Sequence, residues 1–245
     1  MSSRNKSTPV SSLNSDPGHL TRLKTLLAKI RHFENLPSDI REEIAVAATL
    51  RHFDAGQVIY LEGEPADAVY LLESGWVKAV RMSREGREQA LLFLRDGEVF
   101  GDVAAFTGTA YPGTAIALEP VDVWVIPAKN LLDLTAQHSE LAMAFIRHMG
   151  ERVLYYVGLV EDIALRSVEA RLANTLLRNA EQHDGILIVP RRSWTTFDEM
   201  AVRLGTVRDV LSRALHNLER EKLLEVGRHE IILLDPTGLE KRGSL

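Results

Sequence analysis

A chain of 245 residues with 45 % hydrophobic and 26 % charged side chains has the make-up of an ordinary globular protein, long enough for one large domain or two small ones. It has no cysteine, which excludes disulfides, thiol nucleophiles, Cys-ligated zinc and thiolate-held iron–sulfur clusters, and no apolar run of about 18 residues that could span a bilayer. The formal net charge of −5 argues mildly against a nucleic-acid partner, but it decides little if only one small domain touches DNA.

Residues 1–17 are rich in Ser and Asn with no apolar core after Lys6, so a mobile tail is expected, drawn to residue 19, not a secretory signal, and with it a cytoplasmic location. Two helical stretches follow. Leu20, Leu23, Leu26, Leu27 and Ile30 recur at helical spacing, and Pro37-Ser38-Asp39 restarts the pattern through Ile40, Ile44 and Ala47. At Leu50 the texture changes to short β-type runs at 57–61, 68–72, 76–82, 89–94, 114–118 and 121–126, with glycines between them. Short strands with turn residues about every 8–12 positions predict a sandwich or barrel. Ser83-Arg84-Glu85-Gly86 fits a hairpin turn.

A long helix is expected over 128–165. Ile146, Met149, Val153, Tyr156, Val160 and Ile163 alternate at spacings of three and four, a heptad seam. Phe145, Leu154 and Leu159 lie off the seam, so the helix is apolar on more than one side. A helix that touches the barrel on one side and a second copy of itself on the other, in a parallel dimer, accounts for this; the alternative is a helix that lies only on its own domain's core. Beyond Ser167 the pattern reads helix (168–182), turn (His183-Asp184-Gly185), strand (186–189), two helices, and a hairpin of 223–226 and 231–234 around Gly227-Arg228-His229.

Thr196 and Glu199 make a capping box that opens a helix through Met200, Ala201 and Leu204. Gly205 ends it, Thr206 is positioned to cap the next, and Val210, Leu211, Ala214, Leu215 and Leu218 form that helix's buried stripe. Arg208, Asp209, Ser212 and Arg213 then point outward, where a recognition helix meets base edges: Arg matches guanine O6 and N7, a carboxylate accepts from cytosine N4, and Ser212 reaches a phosphate. Thr196, Thr206, Val207 and the wing residue Arg228 complete the expected DNA-contacting set. The competing reading is a solvated face with an Asp209–Arg213 surface ion pair.

These residues resemble the CRP/FNR family of bacterial regulators, and the likeness runs from about residue 27 to 239. The first half matches through Ala55-Gly56, Glu62-Gly63-Glu64, Ser74-Gly75, Gly86, Asp96-Gly97 and Val99-Phe100-Gly101-Asp102; the second through the run from Arg203 to Arg213. The resemblance implies an α+β architecture: tail (1–19), a double-stranded β-helix or jelly-roll sensor barrel of the cyclic-nucleotide-binding kind with N-terminal helices (20–127), a dimerisation helix (128–166) and a winged helix-turn-helix (167–245). It implies a homodimer on a near-palindromic operator, with RNA polymerase as a further partner, and makes Arg208, Asp209 and Arg213 the base readers. Asp209 is one methylene shorter than the Glu usual at its position.

The departures from the family pattern bear on the effector. In the cyclic-AMP branch an Arg-Ser or Arg-Thr couple holds the cyclic phosphate; here Pro112-Gly113 stand in place of the arginine beside Thr114. Tyr156 and Val157 occupy the positions that contact adenine. Both changes argue against cyclic AMP, and the absence of cysteine excludes iron–sulfur oxygen sensing. What the loop and helix offer is an aromatic pocket for a small organic effector, lined by Phe100, Gly101, Asp102, Val103, Phe106, Tyr111, Thr114, Ala115 and Tyr156. The alternatives are that these side chains only pack the barrel against the helix, in a constitutive regulator, or that a haem- or small-molecule-dependent barrel acts mainly through protein–protein interaction. Haem on His148 or His32 stays open as a cofactor; no metal is expected otherwise, because no H-x-x-x-H pair with a carboxylate occurs. No enzyme is expected: Gly101-Asp102 and Gly108-Thr109 lack the lysine of a phosphate-binding loop, and no nucleophile elbow is present.

Overall fold

The computed structural model describes residues 17–83 and 88–244. Residues 1–16 of the expected tail, and most of the 83–86 turn, lie outside the described residues. The chain opens with α1 (Pro17–Lys29) and α2 (Ser38–Ala47). Residues 17–19, assigned to the tail, are thus helical, with proline at the first position, where its missing N–H costs nothing.

Eight strands follow: β1 (Thr49–Phe53), β2 (Val58–Tyr60), β3 (Ala68–Ser74), β4 (Val77–Met82), β5 (Glu88–Leu94), β6 (Val99–Phe100), β7 (Thr114–Ala117) and β8 (Val121–Pro127), with α3 (Asp102–Thr107) between β6 and β7. They form two four-stranded antiparallel sheets, ordered β1-β8-β3-β6 and β2-β7-β4-β5. The central strands β3 and β8 read as nearly unbroken apolar runs because both of their faces are buried. Val69, Leu71, Trp124 and Ile126 point to α1, α2 and the helices that follow the barrel, sharing a core with Leu23, Leu27, Ile44 and Leu141. The alternate residues Tyr70, Leu72, Val121 and Val123 point between the sheets, with Val77, Leu94, Phe100 and Ala117. The expected barrel is therefore present, with two strands (β1, β6) and one helix (α3) more than the sequence pattern predicted.

The single helix expected over 128–165 is two: α4 (Ala128–Gln137) and α5 (Ser139–Leu165). His138 breaks the helix by adopting extended backbone, φ −121° and ψ 107°. On α5, Leu141, Ala144, Phe145 and His148 are buried against the barrel. The opposite stripe is bare: Ile146, Val153, Val160 and Ile163 are each between 50 % and 66 % exposed, and Met149 and Tyr156 are half-buried.

The C-terminal unit runs α6 (Val168–Arg178), β9 (Glu181–His183), β10 (Ile186–Pro190), α7 (Phe197–Arg203), α8 (Arg208–Arg220), β11 (Leu224–Val226), β12 (Glu230–Leu233) and α9 (Pro236–Gly243). The helix expected over 168–182 ends at Arg178, and its last residues pair as β9 in a sheet ordered β11-β12-β10-β9. Leu172, Leu176, Leu211, Leu215, Leu218, Ile231 and Leu239 form its core.

Candidate nucleic-acid interface and sensor site

Thr196 caps α7: its Oγ1 accepts from Glu199 N at 3.2 Å. The reciprocal arm of the capping box is absent, because Glu199 Oε1 accepts instead from Lys78 Nζ of β4 at 2.7 Å. Gly205 takes φ +62°, a left-handed turn that lets Thr206 N reach back to Ala201 O at 2.9 Å. The cap of α8 is Val207, in extended backbone with no side-chain bond, and not Thr206 as expected. The turn that follows Gly205 is one residue longer than the pattern suggested, so Val207 O receives the first helical N–H groups, from Val210 and Leu211.

Leu211, Ala214, Leu215 and Leu218 bury one face of α8, while Arg208, Asp209, Ser212 and Arg213 stand exposed on the other. Arg213 Nε donates to the backbone O of Asp209 at 3.3 Å, so the expected Asp209–Arg213 side-chain pair is replaced by a backbone contact. Arg208 Nη1 lies 3.2 Å from Asp198 Oδ2. Thr196, Val207 and Arg228 are exposed, and Thr206 is half-buried.

Between α7, the start of α8 and the wing turn lies a cleft of about 600 Å³ lined by Arg191, Arg192, Thr196, Asp198, Arg208 and Arg228, among others. Four arginines against one carboxylate make it a phosphate-attracting surface. Arg191 fixes its shape: Nη1 donates to Gly227 O at 2.8 Å, its backbone N donates to His229 O at 2.7 Å, and its guanidinium packs over the Phe197 ring. Nothing in the sequence pattern singles this arginine out.

The residues expected to line one effector pocket do not gather in one place. Phe100 stacks on Tyr70, and Tyr111 stacks on Tyr60 with centroids 3.9 Å apart and donates its hydroxyl to Ala68 O at 2.7 Å. These four rings fill the space between the sheets, with Ala115 buried beside them on β7. Phe106 turns the other way, onto Phe145 of α5, and Val103 is solvent-exposed. Gly101 starts α3, Thr114 Oγ1 accepts from Glu62 N at 3.0 Å, and Tyr156 lies edge-on to Tyr155. At Gly113, where the cyclic-AMP branch carries its arginine, an added Cβ would come 2.7 Å from Val80 O, so no side chain fits without moving β4.

Asp102 is fully buried and faces α5: Arg152 Nη1 donates to Oδ1 at 2.8 Å, and His148 Nε2 is 3.2 Å from Oδ2. Burial alone would raise its pKa, but His148 and Arg152 outweigh it and hold the carboxyl below its ordinary range. Arg152 Nη2 also donates to Val99 O at 2.7 Å, fastening barrel to helix. His32 packs against the His148 ring, and burial lowers its pKa. The Nε2 atoms of His148 and His32 face the carboxylates of Asp102 and Glu151, so the pair does not fit a haem iron.

No helix among the described residues is long and apolar enough to cross a membrane. Comparison with known proteins agrees with both halves of the architecture. Residues 50–138 match the cyclic nucleotide-binding domain family and residues 170–242 the Crp-like helix-turn-helix domain family. The transcriptional regulator LdrP of Thermus thermophilus is 31 % identical over 196 residues, covering 78 % of this chain and 95 % of its own. The global nitrogen regulator of Synechococcus elongatus is 28 % identical, covering 80 % and 90 %. A CRP-family transcriptional regulator from Thermus thermophilus superposes with a TM-score of 0.65 at 25 % identity, over 80 % of this chain and 97 % of that one. With an antiparallel barrel, a long helix and a helix-turn-helix that presents a basic face, in the same order as in these relatives and over nearly their whole length, the chain belongs to the CRP/FNR family of transcription regulators.

Proposed function

We propose that two copies of this regulator pair in parallel along α5 and set their two α8 helices into successive major grooves, about 34 Å apart, of a near-palindromic operator. The observation that carries this reading is the bare stripe of Ile146, Val153, Val160 and Ile163, opposite the face that α5 buries on its own barrel. An uncovered apolar seam of heptad spacing is satisfied by a second helix of the same kind. Arg208, Asp209 and Arg213 read base edges, while Thr196, Ser212 and Arg228 hold the backbone.

The packed barrel interior supports a regulator competent without cyclic AMP. Four aromatic rings occupy the space between the sheets, and Asp102 is spent on Arg152 and His148. A small-molecule effector would have to displace these contacts. Selection from random duplex DNA by the protein as purified tests both parts. A two-fold symmetric site with G·C pairs in each half is expected. An asymmetric single half-site would remove the dimer, and no enriched site at all would make an effector obligatory.

A further inference from the structure

One cation of the basic cleft is already taken by the sensor barrel. Arg192, in the loop leading to α7, lines the cleft with Arg208 and Arg228. Its Nη1 donates to Glu119 Oε1, in the turn between β7 and β8, at 3.0 Å. The other oxygen of Glu119 accepts from Trp194 Nε1, also at 3.0 Å. Trp194 packs against Trp76 beside β4, with centroids 5.4 Å apart, and the Arg192 guanidinium lies over the Trp76 ring. A second tie lies close by: buried Lys78 bridges Glu88 on β5 and Glu199 on α7 at 2.9 and 2.7 Å. Burial would lower the Lys78 pKa, but the two carboxylates raise it, so it stays charged.

We propose that Glu119 is an internal brake on DNA affinity: it withholds Arg192 from the phosphate backbone while the two domains are docked. The inference rests on the reading of the cleft as DNA-facing. A lone surface ion pair would exchange freely with a phosphate. This one is held at both ends, the carboxylate by Trp194 and the guanidinium by Trp76, so the arginine stays with the barrel. Arg192 is half-exposed, and its contacts with Glu119 and Trp76 hold it away from a duplex laid in the cleft. The barrel thereby acquires a means to set DNA affinity that needs no bound ligand, since any shift that separates Glu119 from Arg192 adds one cation to the contact set.

The test is binding of short random-sequence duplex DNA, by fluorescence anisotropy across a salt series, to the full-length protein and four variants. Glu119→Gln keeps an acceptor for Trp194 and removes only the charge. It should bind about three- to tenfold more tightly at low salt, and its log K against log salt should steepen by about 0.9, the slope of one added phosphate contact. Arg192→Gln alone should leave the salt slope unchanged, because the wild type does not use that cation. The double variant Glu119→Gln/Arg192→Gln should return to wild-type values. A gain that survives in the double variant would overturn the brake, since it would not depend on Arg192. So would a Glu119→Gln variant that binds no better than wild type. Arg228→Ala, at a cleft arginine assigned to the phosphate backbone, separates the two readings. Weakened binding there with no response to Glu119→Gln overturns the brake alone, and indifference to both overturns the DNA-facing cleft as well.

Discussion

Asp102→Asn removes one charge and almost no volume, which makes it a clean probe of the joint between barrel and helix. The carboxylate is fully buried, with Arg152 at 2.8 Å and His148 at 3.2 Å, and Arg152 has Val99 O as its other partner. Asparagine can still accept the Arg152 bond, but it leaves the nearly buried guanidinium without its ion-pair partner. Breaking a buried pair in this way costs about 3–5 kcal/mol, and the neutral bond that survives returns about 1, so a loss of about 3 kcal/mol is expected. In a chain of this length that lowers Tm by about 6–12 °C. The pH dependence follows from the pKa. Because the folded state holds Asp102 below its ordinary value of 3.8, its contribution is complete above that value and is lost as pH falls through the lower, folded one. Urea unfolding followed by circular dichroism should therefore show a wide gap between wild type and variant at about pH 7 and a narrower one at about pH 3. Equal midpoints at neutral pH, or an undiminished gap in acid, would show that the ion pair is not what joins α3 to α5.

Val153→Asp places a carboxylate in the α5 seam; two unpaired buried charges should weaken the dimer by about 3 kcal/mol or more, and sedimentation that finds an unchanged dimer would put the interface elsewhere. Arg208→Ala should cost about 1–3 kcal/mol and relax selection at one base pair per half-site, whereas a uniform loss across sequences would make Arg208 a phosphate contact. Leu211→Ala opens a cavity at the crossing of α7 and α8 and should destabilise the C-terminal unit by about 2–5 kcal/mol in denaturant titration; a cost below about 1 kcal/mol would mean that the helix pair collapses around the gap.

The exposed face of α8 was legible because period 3.6 separates Leu211, Ala214, Leu215 and Leu218 from Arg208, Asp209, Ser212 and Arg213 whatever the surroundings. The same rule explains the scattered pocket. Once residues 102–107 coil into α3, neighbours in sequence point in different directions, so Phe106 reaches Phe145 while Val103 faces solvent. Six residues between Gly101 and Gly108 are too few to display a helical period. The break at His138 has no glycine or proline to announce it, and β9 is three exposed polar residues that only their partner strand makes regular. The start of α9 was in plain view, with Asp235 accepting from Gly238 N and Pro236 at the first helical position, yet its apolar content is too small to show a stripe. Lys78 and Glu119 were beyond reach for a different reason. Their partners lie 121 and 73 residues away, and only the folded domains bring them together.

The helix α5 ties these features into one mechanical part. Its 27 residues span about 40 Å, and a buried or nearly buried carboxylate marks each connection. Asp102 of the barrel grips Arg152 in its middle. Asp162 near its end holds Arg166 at 2.8 Å and reaches Arg178 of α6 at 3.4 Å, where Ser167 starts the DNA-binding unit by capping Ala170 N. Clamped at both points, α5 joins the barrel to α6 as one continuous element. The brake at Glu119 works in parallel, because Lys78, Glu119 and Trp76 bind the α7 region directly to the barrel without passing through α5. The two domains are therefore joined along two separate paths. On the proposed reading, α5 carries the position of α8 and the Glu119 contact carries the number of cations offered to DNA.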